Sequence, residues 1–302
     1  MEVKPNLIIA GVTKGGTTSI FSYLSHHPDI CTSSIKETCY FLPLRYGNEI
    51  APISEYTKYF KHYKNEKYRV EATPGYFYGN KFIPQKIYET LGKVKILIVL
   101  REPISRLFSF YKALKTRILI SKDMTFDEYI EMCKNYMEPP KDRETDTIYR
   151  GVREGLYSNY FGEWYNYFGD SLKVTFFEYL QENPLLLMHD LCDWLEIDPS
   201  IYSTQQFTIE NKSVLYKNKS MHKLGLYINK NLESLFRKLP KMKLVLRNIY
   251  YGVNESSMNE RISREIHTLL ESIYAPYNKI LFNMLKENNQ KNFPGWLYCN
   301  GK

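Results

Sequence analysis

The 302-residue sequence is short of cysteine: it has five, Cys31, Cys39, Cys133, Cys192 and Cys299, an odd number with no C-x-x-C pair. That argues against a disulfide framework and a thiolate zinc site, and it makes a reducing, cytoplasmic setting the expectation. The chain also lacks long apolar runs. No stretch approaches the roughly eighteen apolar residues that cross a bilayer, so an unexported chain with no membrane partner is expected. None of the six histidines has metal-ligand spacing, and no metal is expected. Internal repeats and low-complexity tracts are missing as well. Positive charge is not scarce. The excess of 41 Lys and Arg over 33 Asp and Glu gives +8, which suits nucleic acid, an anionic surface or a polyanionic small molecule without choosing among them.

With 43% hydrophobic residues the chain can bury a full core, and one domain over residues 1–302 is expected. Short β-branched apolar runs alternate with segments of helical period, the pattern of an α/β fold with a mostly parallel central sheet flanked by helices. The predicted strands are 6–12, 29–34, 67–73, 94–101 and 172–180. Those at 6 and 94 are nearly continuous apolar runs, as in strands covered on both faces. Helices are predicted at 17–26, 80–91, 103–119, 125–137, 154–168, 184–195, 220–238 and 259–287. The polar stretches 138–151 and 203–220 read as long loops, where binding segments and lids are found.

Chemistry concentrates after the first strand, in LIIAGVTKGGTTSIFSYL (7–24). Lys14, Gly15, Gly16, Thr17, Thr18 and Ser19 bring backbone N–H groups, hydroxyls and one ammonium together at a helix N-terminus, an anion site. Gly11 and Gly16 have the spacing of a G-x-x-x-x-G-K-[ST] nucleotide loop, but Thr17 stands where its lysine belongs and the lysine has moved to position 14. The strand KILIVL then ends in Arg101, where a nucleotide kinase would carry an acidic magnesium ligand. In LREPISRLFSFYKALKT, Pro103 suits the first turn of a helix. Ser105 and Ser109 share a face at i, i+4, with Ser109 leaning back toward Arg101. Arg101 and Ser109 can clamp a second phosphate, since both motifs lie where open α/β sheets bind ligands.

These paired motifs, GVTKGGTTS and R-x-P-x-x-R-x-x-S-x-Y, resemble the sulfotransferases that use 3'-phosphoadenosine 5'-phosphosulfate, in particular the heparan sulfate sulfotransferases and their bacterial relatives. The resemblance runs on through KETCYF (36–41), EATPGYF (71–77), GLYSNYFGEWYNYFGD (155–170) and YAPYNKIL (274–281). It implies a single domain with a P-loop-NTPase-like sulfotransferase fold. It assigns the 5'-phosphosulfate to Lys14, Gly15, Gly16, Thr17, Thr18 and Ser19, and the 3'-phosphate to Arg101 and Ser109. Lys219, with Lys217, would close over the nucleotide. The general base would be Glu37 beside Lys36, with Glu71 as second choice, and Lys14 would face the leaving oxygen. Two departures stand out: Ala72 occupies a position where glycan-sulfating relatives often carry lysine, and Cys39 one where some carry histidine.

The expectation is a metal-independent sulfotransferase acting on a hydroxyl or amine of a small molecule, with a role in specialised metabolism. A carbohydrate or glycan acceptor is the alternative. Glu138, Asp142, Glu144 and Asp146 would suit a cationic acceptor if they were not simply solvated. Two competing classes remain: a nucleotide kinase with a degenerate phosphate loop, and a nucleic-acid binder, which would leave the lysine and glycine arrangement unexplained.

Overall fold

The computed structural model describes residues 2–138, 143–204, 207, 215–232, 245–246, 250, 253–256 and 260–298. Five strands, β1 (Leu7–Gly11), β2 (Ile30–Thr32), β3 (Tyr68–Ala72), β4 (Lys95–Leu100) and β5 (Leu172–Phe176), form one parallel sheet in the order β2-β3-β1-β4-β5. The central strand β1 pairs with both β3 and β4, so Leu7 lies beside Val70 on one side and Lys95 on the other. Every residue of LIIAG is buried, as are the last five of KILIVL, which is why these two strands read as unbroken apolar runs.

Side chains alternate between the two faces. Ile8, Ile96 and Ile98 enter a core shared with Phe77, Trp164, Leu281 and Leu285. Leu7, Ile9, Leu97 and Val99 enter a second core with Ile20 and Leu191. Helices cover both: α1 (Thr17–Leu24), α2 (Ile53–Thr57) and α3 (Phe82–Leu91) connect the early strands. Four more, α4 (Pro103–Thr116), α5 (Phe126–Lys134), α6 (Arg143–Tyr149) and α7 (Ser158–Phe168), run between β4 and β5. After β5 come α8 (Phe177–Glu182), α9 (Pro184–Leu195), α10 (Lys219–Asn231) and the 24-residue α11 (Arg264–Glu287). A small antiparallel pair, β6 (Leu215–Tyr216) and β7 (Glu255–Ser256), stands apart. Leu270 and Tyr274 of α11 close a third cluster with Leu107 and Tyr129 of α4 and α5.

Several boundaries differ from those expected. Residues 177–180, read as the end of a strand, belong to helix α8, because an apolar run of that length fits either element and Leu180 is buried into the second core. The 138–151 stretch is not all loop: Arg143–Tyr149 is helical, and 139–142, with Asp142, lie outside the described residues. The helix expected from 154 starts at Ser158, after a 3-10 turn at Arg153–Gly155. Residues 233–238 of the helix predicted at 220–238, most of 203–214, and Cys299 also lie outside the described residues. His27, just after α1, is buried. Its Nδ1 accepts the Asp29 N–H at 3.1 Å and its Nε2 meets the Asp198 carbonyl at 2.8 Å. Among the described residues no helix is long and apolar enough to cross a membrane, and no cluster of three metal-ligating side chains occurs.

Candidate active site

Beyond β1 the chain folds back on itself. The Val12 N–H donates to the Val99 carbonyl of β4 at 3.0 Å, and the Gly15 N–H donates to the Val12 carbonyl at 2.9 Å. Lys14 and Gly16 both take left-handed backbone angles, φ 69° and 87°. A Cβ on Gly15 would lie 2.4 Å from the Val99 carbonyl oxygen, and one on Gly16 within 2.8 Å of Phe177 and Leu180. Only glycine fits either place. Gly16 then opens α1 without a side-chain cap or an acidic residue in the first turn. The first-turn amides of α1, at Thr17 and Thr18, therefore have no i−4 partner, and the positive end of the helix dipole is unopposed. Thr17 and Ser19 are buried and Thr18 half-buried beside them.

Arg101, immediately after β4, comes to this loop directly. Its Nη1 donates to the Lys14 carbonyl at 3.1 Å, and its guanidinium lies 4.2 Å above the Phe177 ring, the same ring that crowds Gly16. Its own carbonyl accepts the Tyr157 hydroxyl at 2.8 Å. The buried Nε has no hydrogen-bond partner. The adjacent Glu102 does not pair with Arg101; its carboxylate caps α4 by accepting the Ile104 and Ser105 N–H groups at 2.8 and 2.5 Å. Ser105 is exposed and Ser109, one turn on, is half-buried.

The Lys14 ammonium is pushed down to about 8, first by burial and then by the positive charges of Arg117, Arg101 and Lys112, with Glu37 acting in the opposite sense. Four cations thus converge on one region. Burial and the neighbouring Arg101 lower Lys112 in turn. Sequence reasoning missed Lys112 and Arg117. Lys112 could have been found, since it follows Ser109 at i+3 on the face already drawn through Ser105 and Ser109. Arg117, just past the end of α4, carries no such signal. Lys219 is exposed at the start of α10, whose His222 Nε2 meets the Thr116 carbonyl at 2.6 Å, so α10 docks on the end of α4 next to Arg117.

Across the loop stands Glu37, 47% exposed and paired with Lys36 at 2.8 Å. Partial burial works against its ionisation, but Lys36, followed by Arg117 and Arg150, outweighs that and holds the carboxyl below its usual range. Glu71 is the opposite case: fully buried, it is pushed up to about 7 by desolvation, against hydrogen bonds from Thr73, Thr38 and Tyr56. The Cys39 thiol is raised to about 11 by burial and by these two carboxylates, so it is not a thiolate at neutral pH.

Within the acidic stretch, Asp146 is turned into the protein interior. Asp146 is 1% exposed, bonded to Arg153 and, at 3.2 Å, to Arg45, while Glu154 takes the other Arg45 nitrogen at 2.9 Å. A cationic-acceptor role for Asp146 is therefore excluded; its charge is consumed by buried arginines. A cavity of about 270 Å³ between α7, β5 and the end of α11, lined by Phe161, Lys173, Trp194 and Leu285, contains none of the candidate site residues.

A family model described as "Sulfotransferase domain" matches residues 4–243. Human heparan sulfate glucosamine 3-O-sulfotransferase 5 is 30% identical over 164 residues, 54% of this chain and 45% of that protein. The bifunctional heparan sulfate N-deacetylase/N-sulfotransferase of Drosophila melanogaster is 23% identical over 97% of this chain and 27% of its own length. The chain thus spans less than half the length of these curated relatives. Among solved structures, a sulfotransferase from Alicyclobacillus acidocaldarius superposes with a TM-score of 0.58 at 24% identity, covering 78% of this chain and 96% of that one, which is a likeness of fold.

Proposed function

This chain belongs to the sulfotransferase domain family, and from that premise we propose that it moves a sulfuryl group from 3'-phosphoadenosine 5'-phosphosulfate to a hydroxyl or amine. The observation that carries the reading is the bond between Arg101 Nη1 and the Lys14 carbonyl, which makes two anion sites one unit. In this reading Lys14, Gly15, Gly16, Thr17, Thr18 and Ser19 hold the 5'-phosphosulfate, and Arg101 with Ser109 holds the 3'-phosphate. The unpartnered Arg101 Nε and the lack of room for any side chain at Gly15 fit an anion held by backbone and guanidinium.

Transfer runs in line. The acceptor oxygen or nitrogen forms a bond to sulfur as the bond from sulfur to the phosphate oxygen breaks, releasing 3',5'-bisphosphoadenosine. Negative charge grows on that leaving oxygen, where a preorganised Lys14 is worth about 3–4 kcal/mol by analogy with oxyanion donors. The acceptor proton passes to Glu37, whose lowered carboxyl is ionised at neutral pH and half-exposed toward solvent. Glu71, with no exposed surface, is out of an acceptor's reach.

For the acceptor, an anionic glycan is favoured by the relatives named for heparan sulfate and by Lys36, Arg117 and Arg150 all acting on Glu37. A small molecule is the second reading, favoured by Ala72 and Cys39 standing where glycan-sulfating relatives carry basic groups. The whole chain is read as one domain, since α11 packs on both α4 and α7. A reducing compartment fits the unpaired Cys31, Cys39, Cys133 and Cys192 among the described residues. Thermal stabilisation tests the core of the proposal: 3',5'-bisphosphoadenosine without metal should raise the melting temperature more than ATP with magnesium does. The reverse order would favour a kinase, and no response to either would remove the nucleotide altogether.

A further inference from the structure

The Glu37 segment has an unusual backbone. Glu37 and Cys39, neither of them glycine, both sit in the left-handed region, at φ 62° and 57°. Such angles persist only where the surroundings impose them, and the surroundings here are specific. The Glu37 N–H donates to the Ala72 carbonyl at 2.9 Å, the Cys39 N–H to Thr73 Oγ1 at 3.2 Å, and the Phe41 N–H to the Tyr76 hydroxyl at 3.2 Å. Thr38 Oγ1 lies 3.4 Å from that same hydroxyl. Behind this row is Glu71. Thr73 donates its hydroxyl proton to Glu71 Oε1, and Tyr56, stacked on Tyr40 at 4.3 Å, donates to Oε2 at 3.2 Å.

A threonine hydroxyl has one proton. While Thr73 gives that proton to Glu71, its oxygen lone pairs are left for the Cys39 amide, so the buried carboxyl fixes the orientation of the hydroxyl whose oxygen holds the segment. Resting on the reading of Glu37 as the base, we propose that Glu71 is a positioning residue: acting through Thr73 and Thr38, it locks residues 37–41 so that the Glu37 carboxylate is held beside the Lys14 loop. A carboxyl kept without exposed surface, where burial opposes its charge, has in this role a reason to be there that packing alone does not supply.

The test uses the full chain with Glu71→Gln, Thr73→Val and the conservative Thr73→Ser, each saturated with 3',5'-bisphosphoadenosine. Amide hydrogen exchange of residues 36–42 should rise about tenfold or more in the first two variants and stay near wild type in Thr73→Ser, with β1 and β4 unchanged. Release of bisphosphoadenosine from the sulfuryl donor, with de-N-acetylated heparosan oligosaccharide as acceptor probe, should lose about tenfold to a hundredfold in kcat at an unchanged donor KM. Adding Glu71→Gln to Glu37→Gln should cost less than about twofold more. Equal loosening of β1 and β4, no change at 36–42, or fully multiplicative losses in the double variant would each overturn the proposal. A wild-type chain that binds no bisphosphoadenosine would sink the sulfotransferase reading instead, and exchange measured on the free chain would still decide whether Glu71 holds the segment.

Discussion

Arg101→Ala puts the two-site arrangement to its sharpest test, because the guanidinium has two separable jobs. In the proposed complex it pairs with the 3'-phosphate; within the protein it also donates to the Lys14 carbonyl and stacks on Phe177. Truncating one partner of a buried charge pair costs about 2–5 kcal/mol, roughly 30-fold to several-thousandfold in Kd. Losing the brace on Lys14 is a neutral hydrogen bond, about 0.5–1.5 kcal/mol, or roughly two- to tenfold. Titration calorimetry should therefore show the large loss for 3',5'-bisphosphoadenosine and only the small one for adenosine 5'-phosphate, which reaches the Lys14 loop alone. Arg101→Lys should fall between wild type and alanine, since it keeps the charge but loses the planar fork and the stack. Equal losses for the two nucleotides would refute the reasoning and reduce Arg101 to a support for the first loop.

With the Lys14 ammonium lowered to about 8, the group is charged below that pH and neutral above it, and an anion binds the charged form. Affinity for bisphosphoadenosine should hold up to about pH 8 and then fall by at most about tenfold per unit, a fall that Lys14→Arg abolishes; a flat profile in the wild type would place Lys14 away from the phosphate. Gly16→Ala forces a side chain into a φ of 87° and against Phe177 and Leu180. It should cost about 1–3 kcal/mol in urea unfolding and weaken nucleotide binding, and a neutral result would mean the loop is not confined as described. Asp146→Ala leaves the buried Arg153 without its carboxylate and Arg45 with Glu154 alone, and urea midpoints should report about 3–5 kcal/mol of destabilisation; a loss confined to acceptor affinity would restore the surface role rejected above.

The parts of the site legible in the sequence are those whose chemistry is local. A strand, two glycines, a lysine and a helix start within a dozen residues leave the chain few alternatives, and the structure puts Lys14, Gly16 and Arg101 together as that pattern requires. Parallel pairing is readable for the same reason, in the apolar runs of LIIAG and KILIVL, whose residues 7–11 and 96–100 are all buried. What escaped depends on contacts distant in sequence. Asp146 looks like one member of a solvated charge run until Arg45, some hundred residues earlier, is seen to reach it. Arg117 acts on Lys14 from just past the C-terminal end of α4, and Phe177 reads as strand until its ring is found under Arg101. Glu71 reads as the second-choice base, and its complete burial, which no sequence pattern shows, is what takes it out of an acceptor's reach.

The strand order β2-β3-β1-β4-β5 has one more consequence. In the proposed assignment β3 anchors the proton acceptor, β1 presents the group in transit and β4 carries the grip on the departing nucleotide. Neighbouring strands are about 4.8 Å apart, so the reaction travels sideways over three adjacent strand ends, a lane about 10 Å wide. The outermost strands β2 and β5 flank that lane, β5 reaching it only through Phe177 just past its end. Insertions or whole modules grafted at either margin would leave the spacing of the three central stations unchanged, which makes this sheet an architecture that can gain new acceptors by accretion.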